Sequence, residues 1–146
     1  MRSLLWVIFV CCLVWACWQD LKTRRVYNLT WWVAAPAAVG LSLLQWEQTG
    51  SLYEYGIFAL LQILFFGRTY GKADRNAFLT CGICIMSVGG GLKEDLLHML
   101  IAYLLLGVVQ GAGKNIARNG NLKEPVPFLP YITLAFFFLL WYHGTV

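Results

Sequence analysis

The amino-acid sequence predicts an all-α, polytopic membrane protein with about six transmembrane helices. Of its 146 residues, 60% are hydrophobic and 12% are charged, whereas a soluble domain has about 45–50% apolar and about 25% charged residues. The apolar residues form six runs separated by short polar segments, and Lys and Arg are concentrated in alternate segments. These three observations predict a single transmembrane domain over residues 1–146.

The six runs are interpreted as six spans in chain order. We expect the first to be retained rather than cleaved as a signal, because the bulky Trp15 stands where cleaved signals have small residues. The fourth is short and rich in small residues, which let membrane helices approach closely, and Gly89-Gly90-Gly91 should end it. The predicted spans are Ser3–Trp18, Leu29–Trp46, Leu52–Gly67, Ala77–Val88, Leu92–Gln110 and Val126–Tyr142.

The distribution of cations predicts how the spans are oriented. Lys and Arg collect in the cytoplasmic loops of membrane proteins, and nine of the 11 cations fall in the loops after the first, third and fifth spans. Both termini are therefore expected outside, with Asp20 and Asp74 on the cytoplasmic side. The nine cations are Lys22, Arg24, Arg25, Arg68, Lys72, Arg75, Lys114, Arg118 and Lys123.

The opposite, outer ends of the spans carry more acids than cations. Glu94 and Asp95 are expected in a solvated helix start, where the helix dipole favours acidic groups. His98 lies within the fifth span and is expected to hydrogen-bond a neighbouring helix. The CxxC pair Cys81 and Cys84 has no second ligand pair beside it, so we expect packing rather than zinc binding.

Asp20 and Asp74 are the candidates for chemistry. Carboxylates at this depth tend to face a bundle interior or a water-filled cavity. If the two meet, their pKa values separate; the ionised member can activate a water and the neutral member can protonate a leaving amine. The alternative is that each aspartate pairs with neighbouring cations at the membrane surface and has no catalytic part.

Three segments resemble the motifs of the type IV prepilin peptidases, in the order found in that family. Asp20-Leu-Lys-Thr-Arg-Arg-Val-Tyr-Asn28 resembles the first catalytic segment, Asp, three residues, Arg, any residue, Ile or Val, Pro, Asn. Gly71-Lys-Ala-Asp74 resembles the Gly-x-Gly-Asp segment, and Pro125-Val-Pro-Phe-Leu-Pro-Tyr131 resembles the Pro-Phe-x-Pro-Phe start of the last span. The resemblance covers nearly the whole chain.

The resemblance implies a membrane aspartic endopeptidase with Asp20 and Asp74 as catalytic residues. Such enzymes lie in the cytoplasmic membrane and cut the leader from type IV prepilins or pseudopilins after a Gly, at the cytoplasmic face. Because the first predicted span begins at Ser3, we expect this protein to lack the CxxC-containing extension of the large members. It is therefore similar to the small form, with no methyltransferase activity, metal or cofactor expected. The supporting residues implied are Arg24, Arg25, Asn28, Gly71, Pro127 and Pro130.

Three positions depart from the family pattern, and other functions stay open. Tyr27 stands in place of Pro, Ala73 in place of the second Gly, and Asn76 in place of a common Lys. One alternative is a small proton-coupled transporter, because intramembrane carboxylates also serve proton relays. Another is a catalytically inactive membrane scaffold that binds prepilin-like proteins. No motif favours nucleic-acid binding.

Overall fold

The computed structural model describes residues 1–65, 71–116 and 127–142, and these ranges contain six α-helices and no strand. The predicted all-α class is confirmed. A short 3-10 helix, Trp46–Gln48, follows the second helix. The α-helices are α1 (Arg2–Thr23), α2 (Asn28–Leu44), α3 (Leu52–Leu64), α4 (Lys72–Ser87), α5 (Leu92–Ile116) and α6 (Leu129–Tyr142).

The first helix is longer than its apolar run. It continues past Trp18, so Asp20 lies in a helical turn and not in a loop. The hydroxyl of Thr23 donates to the carbonyl oxygen of Gln19 at 2.9 Å, within this last turn. Arg24 then ends the helix in the left-handed conformation (φ 55°) and donates its N–H to the Asp20 carbonyl oxygen at 3.1 Å.

The fourth and fifth helices also extend into segments predicted as loops. α4 begins at Lys72 instead of Ala77, which places Asp74 in its first turn. α5 continues to Ile116, beyond the predicted end at Gln110. Several predicted features lie outside the described residues: Gly67 at the end of the third span, the loop cations Arg68, Arg118 and Lys123, and Pro125 and Val126 before the sixth span.

α4 is the central helix of the bundle. α1, α2, α4 and α6 contact one another in a ring, α3 packs against α4 and α5, and α5 packs against α4 and α6. Most residues from Ala77 to Ser87 are buried. A Cβ atom at Gly82 would lie 3.2 Å from side-chain atoms of Asp95, Phe58 and Tyr55. The small residues of the fourth span therefore allow the close packing that the sequence predicted.

The outer surface of the bundle is largely apolar. Large apolar side chains are exposed on every described helix except α4, among them Leu4, Trp15, Trp32, Leu43, Leu60, Leu104 and Phe138. Within the described residues, α1 is the one helix that is both long enough and apolar enough to cross a membrane. Three shorter apolar helices, α2, α3 and α6, accompany it.

The start of α5 differs from the sequence prediction. Glu94 accepts a hydrogen bond from the N–H of Gly91 at 2.9 Å, as expected for an acid at a helix N-terminus. Asp95, predicted to be solvated, is instead only 1% exposed. The prediction was wrong because Gly82 has no side chain, which leaves room for the Asp95 carboxyl against α4. His98 is buried, and its Nε2 lies 2.9 Å from the Ile132 carbonyl oxygen, as predicted for a bond to a neighbouring helix.

We predict that Gly82→Leu destabilises the bundle. The added side chain would collide with groups of α3 and α5 that already lie 3.2 Å from the Cβ position. Overpacking of this kind costs about 1–3 kcal/mol of unfolding free energy. Denaturation in detergent micelles, followed by circular dichroism, measures the loss.

Gly107→Leu on α5 is the matched control, because a Cβ at exposed Gly107 meets no atom within 4 Å in the described structure. We expect it to change the unfolding free energy by less than about 0.5 kcal/mol. Equal destabilisation by both variants would contradict the assignment of Gly82 as a close-packing position.

Candidate active site

Asp20 is held by the N-terminus of α6. The half-buried side chain extends from the last turn of α1, and its Oδ2 atom accepts a hydrogen bond from the Leu129 N–H at 3.2 Å. The backbone N–H of Phe128 contributes a second hydrogen bond. The first N–H groups of a helix have no partner within that helix. Asp20 therefore caps α6 although it belongs to a different helix.

The local sequence explains why α6 offers these donors. The Phe128 carbonyl oxygen accepts from the N–H groups of Tyr131 and Ile132 at 3.0 and 3.2 Å, so helical bonding starts at this residue. Pro130 is the second residue of the helix, where its missing N–H removes no helical bond. Pro127 precedes Phe128. The two predicted supporting prolines thus flank the N–H groups that bind Asp20.

Asp74 caps the helix to which it belongs. It is the third residue of α4, and its Oδ2 atom accepts the N–H of Gly71, the N-cap residue, at 3.3 Å. Gly71 has a φ of −67°, and a Cβ there would lie 3.4 Å from Asp74 Oδ2, which is ordinary van der Waals contact. The contribution of Gly71 to the site is therefore its backbone N–H and not the absence of a side chain.

The two carboxyl groups cap the N-termini of α6 and α4, which are helices in contact with each other. Both carboxyl groups lie outside the predicted spans, beyond Trp18 and before Ala77. Burial and the negative charge of Asp20 raise the pKa of Asp74 to about 6. Burial also raises the pKa of Asp20, while the Leu129 N–H, the Arg24 guanidinium and the Phe128 N–H oppose that rise.

This arrangement has a consequence for stability. The folded-state pKa of Asp74 is about 6 and its usual value is 3.8. A raised pKa means that the folded protein binds the proton more tightly than the unfolded chain. The contribution to stability is complete below pH 3.8 and is lost as the pH rises through about 6.

Of the remaining predicted residues, Arg25 and Asn28 make no hydrogen bond with either carboxyl group within the described part of the chain. Arg25 is exposed, and its described hydrogen bonds are between its backbone and the Thr23 hydroxyl. Asn28 begins α2 and lines an open groove between α2 and α4, together with Asn76. Successive helical residues turn by about 100°, so Asn76 points away from the face that carries Asp74.

The sequence analysis missed Gln19, which fixes the connection between α1 and α2. This side chain is only 3% exposed, and its Oε1 atom accepts the Tyr27 N–H at 3.0 Å. A proline at position 27, as in the family pattern, would have no N–H to donate. The hydrogen bond between Gln19 and the Tyr27 backbone therefore depends on a residue other than proline at position 27. A polar residue at the end of an apolar run was the signal that could have identified Gln19.

A second contact that the sequence analysis missed joins α1 to α6 close to Asp20. Cys17 lies one helical turn before Asp20, and its Sγ atom is 3.1 Å from the Thr133 hydroxyl oxygen. All five cysteines are free thiols. In the ranges 1–65, 71–116 and 127–142, no group of three or more His, Cys, Asp or Glu residues is arranged to hold a metal ion.

We predict that Asp20→Asn lowers the pKa of Asp74 from about 6 towards its usual value of 3.8, because it removes the neighbouring negative charge. Carboxyl 13C NMR of aspartate-labelled protein in micelles reads the titration directly. Glu47→Gln, an exposed change at the opposite end of the bundle, should leave the midpoint where it is. An Asp74 midpoint that is the same in wild type and Asp20→Asn would show that the two charges do not interact.

Comparisons with protein-family models, curated proteins and solved structures found no match to this chain. The interpretation of the site therefore depends on its own residues and geometry.

Proposed function

We propose that this protein is a membrane aspartic endopeptidase that removes the leader of type IV prepilins or pseudopilins by cutting after a Gly at the cytoplasmic face. The observation that carries the proposal is that Asp20 and Asp74 cap the N-termini of two contacting helices, α6 and α4, so that the charge of Asp20 helps to raise the pKa of Asp74. Two complete helices, α2 and α3, separate these residues in the chain. Each also belongs to a segment that resembles a catalytic segment of that peptidase family.

The chemistry needs one ionised and one neutral carboxyl group. The ionised group accepts a proton from water while the water oxygen attacks the carbonyl carbon of the scissile peptide bond. The neutral group donates its proton to the leaving nitrogen as the C–N bond breaks. The products are a carboxylic acid and an amine, and the nucleophile is water. The raised pKa of Asp74, about 6, favours a singly protonated pair in mildly acidic solution.

Two observations support a location in the membrane. Soluble monomers rarely expose contiguous apolar patches larger than a few hundred Å², whereas exposed large apolar side chains occur on five of the six described helices. The cations also favour one end: Lys22, Arg24, Arg25, Lys72 and Arg75 lie near the carboxyl pair. With the positive-inside rule, this end faces the cytoplasm and both termini lie outside.

The depth of the pair fits a substrate that is itself a membrane helix. Asp20 follows the apolar run of α1 and Asp74 precedes that of α4, and in the proposed orientation this is where a prepilin helix would leave the hydrocarbon region. The amides within a helix are shielded by their own hydrogen bonds. The end of the substrate helix must therefore unwind before the pair can cut it.

A second candidate, proton-coupled transport, is favoured by the buried groups near the outer end. Asp95 and His98 lie one turn apart on α5, and both are almost completely buried. Asp95 Oδ1 and His98 Nδ1 have no hydrogen-bond partner within the described residues. Buried ionisable groups of this kind occur in proton relays. Proton uptake by proteoliposomes that is lost in Asp95→Asn would support this function.

We predict that Asp20→Asn and Asp74→Asn each abolish cleavage. The assay uses the protein in liposomes and a panel of substrates with a basic leader, a Gly and an apolar helix. Each change removes a carboxyl group that must accept or donate a proton in acid–base catalysis, so cleavage should fall at least about 100-fold. Asparagine retains a side-chain oxygen that can cap a helix, so both variants should remain folded. Mass spectrometry of the products identifies the cut bond.

Glu47→Gln serves as the control because Glu47 is exposed at the opposite end of the bundle. It should cleave like wild type. Cleavage that survives either aspartate change would refute the catalytic pair. Wild-type protein that binds these substrates without cutting them would instead support the inactive scaffold.

A further inference from the structure

The two carboxyl groups differ in the number of groups that stabilise a negative charge. Asp20 accepts hydrogen bonds from the N–H groups of Leu129, at 3.2 Å, and Phe128. Asp74 accepts the N–H of Gly71 at 3.3 Å. Each such bond favours the ionised form of the carboxyl group. By this measure a negative charge is more stable on Asp20 than on Asp74.

The helices packed around the pair increase this difference. α6 directs its N-terminus, the positive end of its dipole, at Asp20. α1 adds the positive charge of Arg24, which opposes the rise in the pKa of Asp20. α4 carries Asp74, which faces the negative charge of Asp20. No cation of the described residues lowers the pKa of Asp74, although Arg75 is its neighbour in the chain.

We propose that the N-terminus of α6 divides the roles of the pair, keeping Asp20 ionised as the general base and leaving the proton on Asp74 as the general acid. This division of roles rests on the peptidase function proposed above. Leu129 is a positioning residue, because its N–H acts on Asp20 and not on the substrate. The Pro127–Pro130 segment contains the N–H groups that bind Asp20, and it therefore stabilises the negative charge on Asp20.

The proton balance of the reaction follows from these roles. Asp20 takes a proton from water as the water oxygen bonds to the carbonyl carbon. Asp74 gives its proton to the leaving nitrogen as the C–N bond breaks. After one turnover Asp20 is protonated and Asp74 is ionised. Transfer of one proton from Asp20 to Asp74 restores the starting state.

The pH profile of kcat/KM should therefore have an acid limb governed by Asp20 and an alkaline limb governed by Asp74. On the acid side, kcat/KM rises as Asp20 ionises. On the alkaline side, kcat/KM falls as the pH passes about 6, because Asp74 then loses its proton in the free enzyme. The separation of the two limbs also contains the repulsion between the two carboxyl groups, so the effect of α6 is measured by how far the acid limb moves when its N–H is removed.

The test is a comparison of Leu129→Pro with Leu129→Ala. Leu129 is the first residue of α6, a position that tolerates proline. Leu129→Pro removes the N–H that binds Asp20, whereas Leu129→Ala removes the buried side chain and keeps the N–H. We expect Leu129→Pro to move the acid limb up by about one pH unit, which lowers kcat/KM about tenfold on that side. Leu129→Ala should leave both limbs in place.

Titration of the Asp20 and Asp74 carboxyl carbons, without substrate, supplies a second readout. In wild type we expect Asp20 to ionise at a lower pH than Asp74. Asp74 ionising first, or equal shifts of the acid limb in Leu129→Pro and Leu129→Ala, would overturn the division of roles. If Leu129→Pro does not fold, the wild-type order of ionisation decides.

The outcomes also separate this inference from the proposed function. If the wild-type chain cleaves no prepilin-like substrate but Asp20 ionises before Asp74, the peptidase function would be refuted. The inference that α6 stabilises the negative charge on Asp20 would stand. If the wild-type chain cleaves a substrate, cleavage requires both aspartates and Asp74 ionises first, the peptidase function would stand, but Asp74 would be the base and Asp20 the acid.

Discussion

Two carboxyl groups that share a partly buried site repel each other when both are ionised. This constraint governs the end of the bundle where Asp20 and Asp74 lie near Lys22, Arg24, Arg25, Lys72 and Arg75, called the basic end below. Burial raises the pKa of both Asp20 and Asp74. The offsetting groups are backbone N–H donors at two helix N-termini, Leu129 for Asp20 and Gly71 for Asp74, together with the Arg24 guanidinium beside Asp20. Helix N-termini supply this stabilisation with oriented dipoles that need no additional charged residue.

The packing of the bundle keeps those N-termini in place. α4 carries Asp74 and is surrounded by α2, α3, α5 and α6, so its first turn cannot shift without disturbing the core. Gly82 lets α3 and α5 approach it closely. α1 and α6 are joined by the contact between Cys17 and Thr133, one turn from Asp20. The position of each carboxyl group is therefore set by contacts made deeper in the bundle.

The two ends of the bundle use acidic residues differently. At the basic end, Asp20 and Asp74 are half-buried and lie close in the chain to Lys22, Arg24, Lys72 and Arg75. At the other end, Glu94 caps α5 while Asp95 is enclosed between helices. An enclosed carboxyl group is poorly suited to act on a large substrate, but it can hold a proton. The peptidase proposal therefore concerns the basic end, and the transport alternative concerns the end at which α5 begins.

The sequence by itself determined the all-α class, the number of helices and the two candidate carboxyl groups, because apolar runs, helix breakers and charge patterns are local properties of the chain. It did not determine that α1 continues through Asp20 or that α4 begins before Asp74. Nor did it reveal the burial of Asp95, which depends on the space beside Gly82. The tertiary structure alone decided that Asp20 caps α6, since its donor, Leu129, lies 109 residues further along the chain. A contact of that separation forms only when distant helices pack together, and no local pattern encodes it.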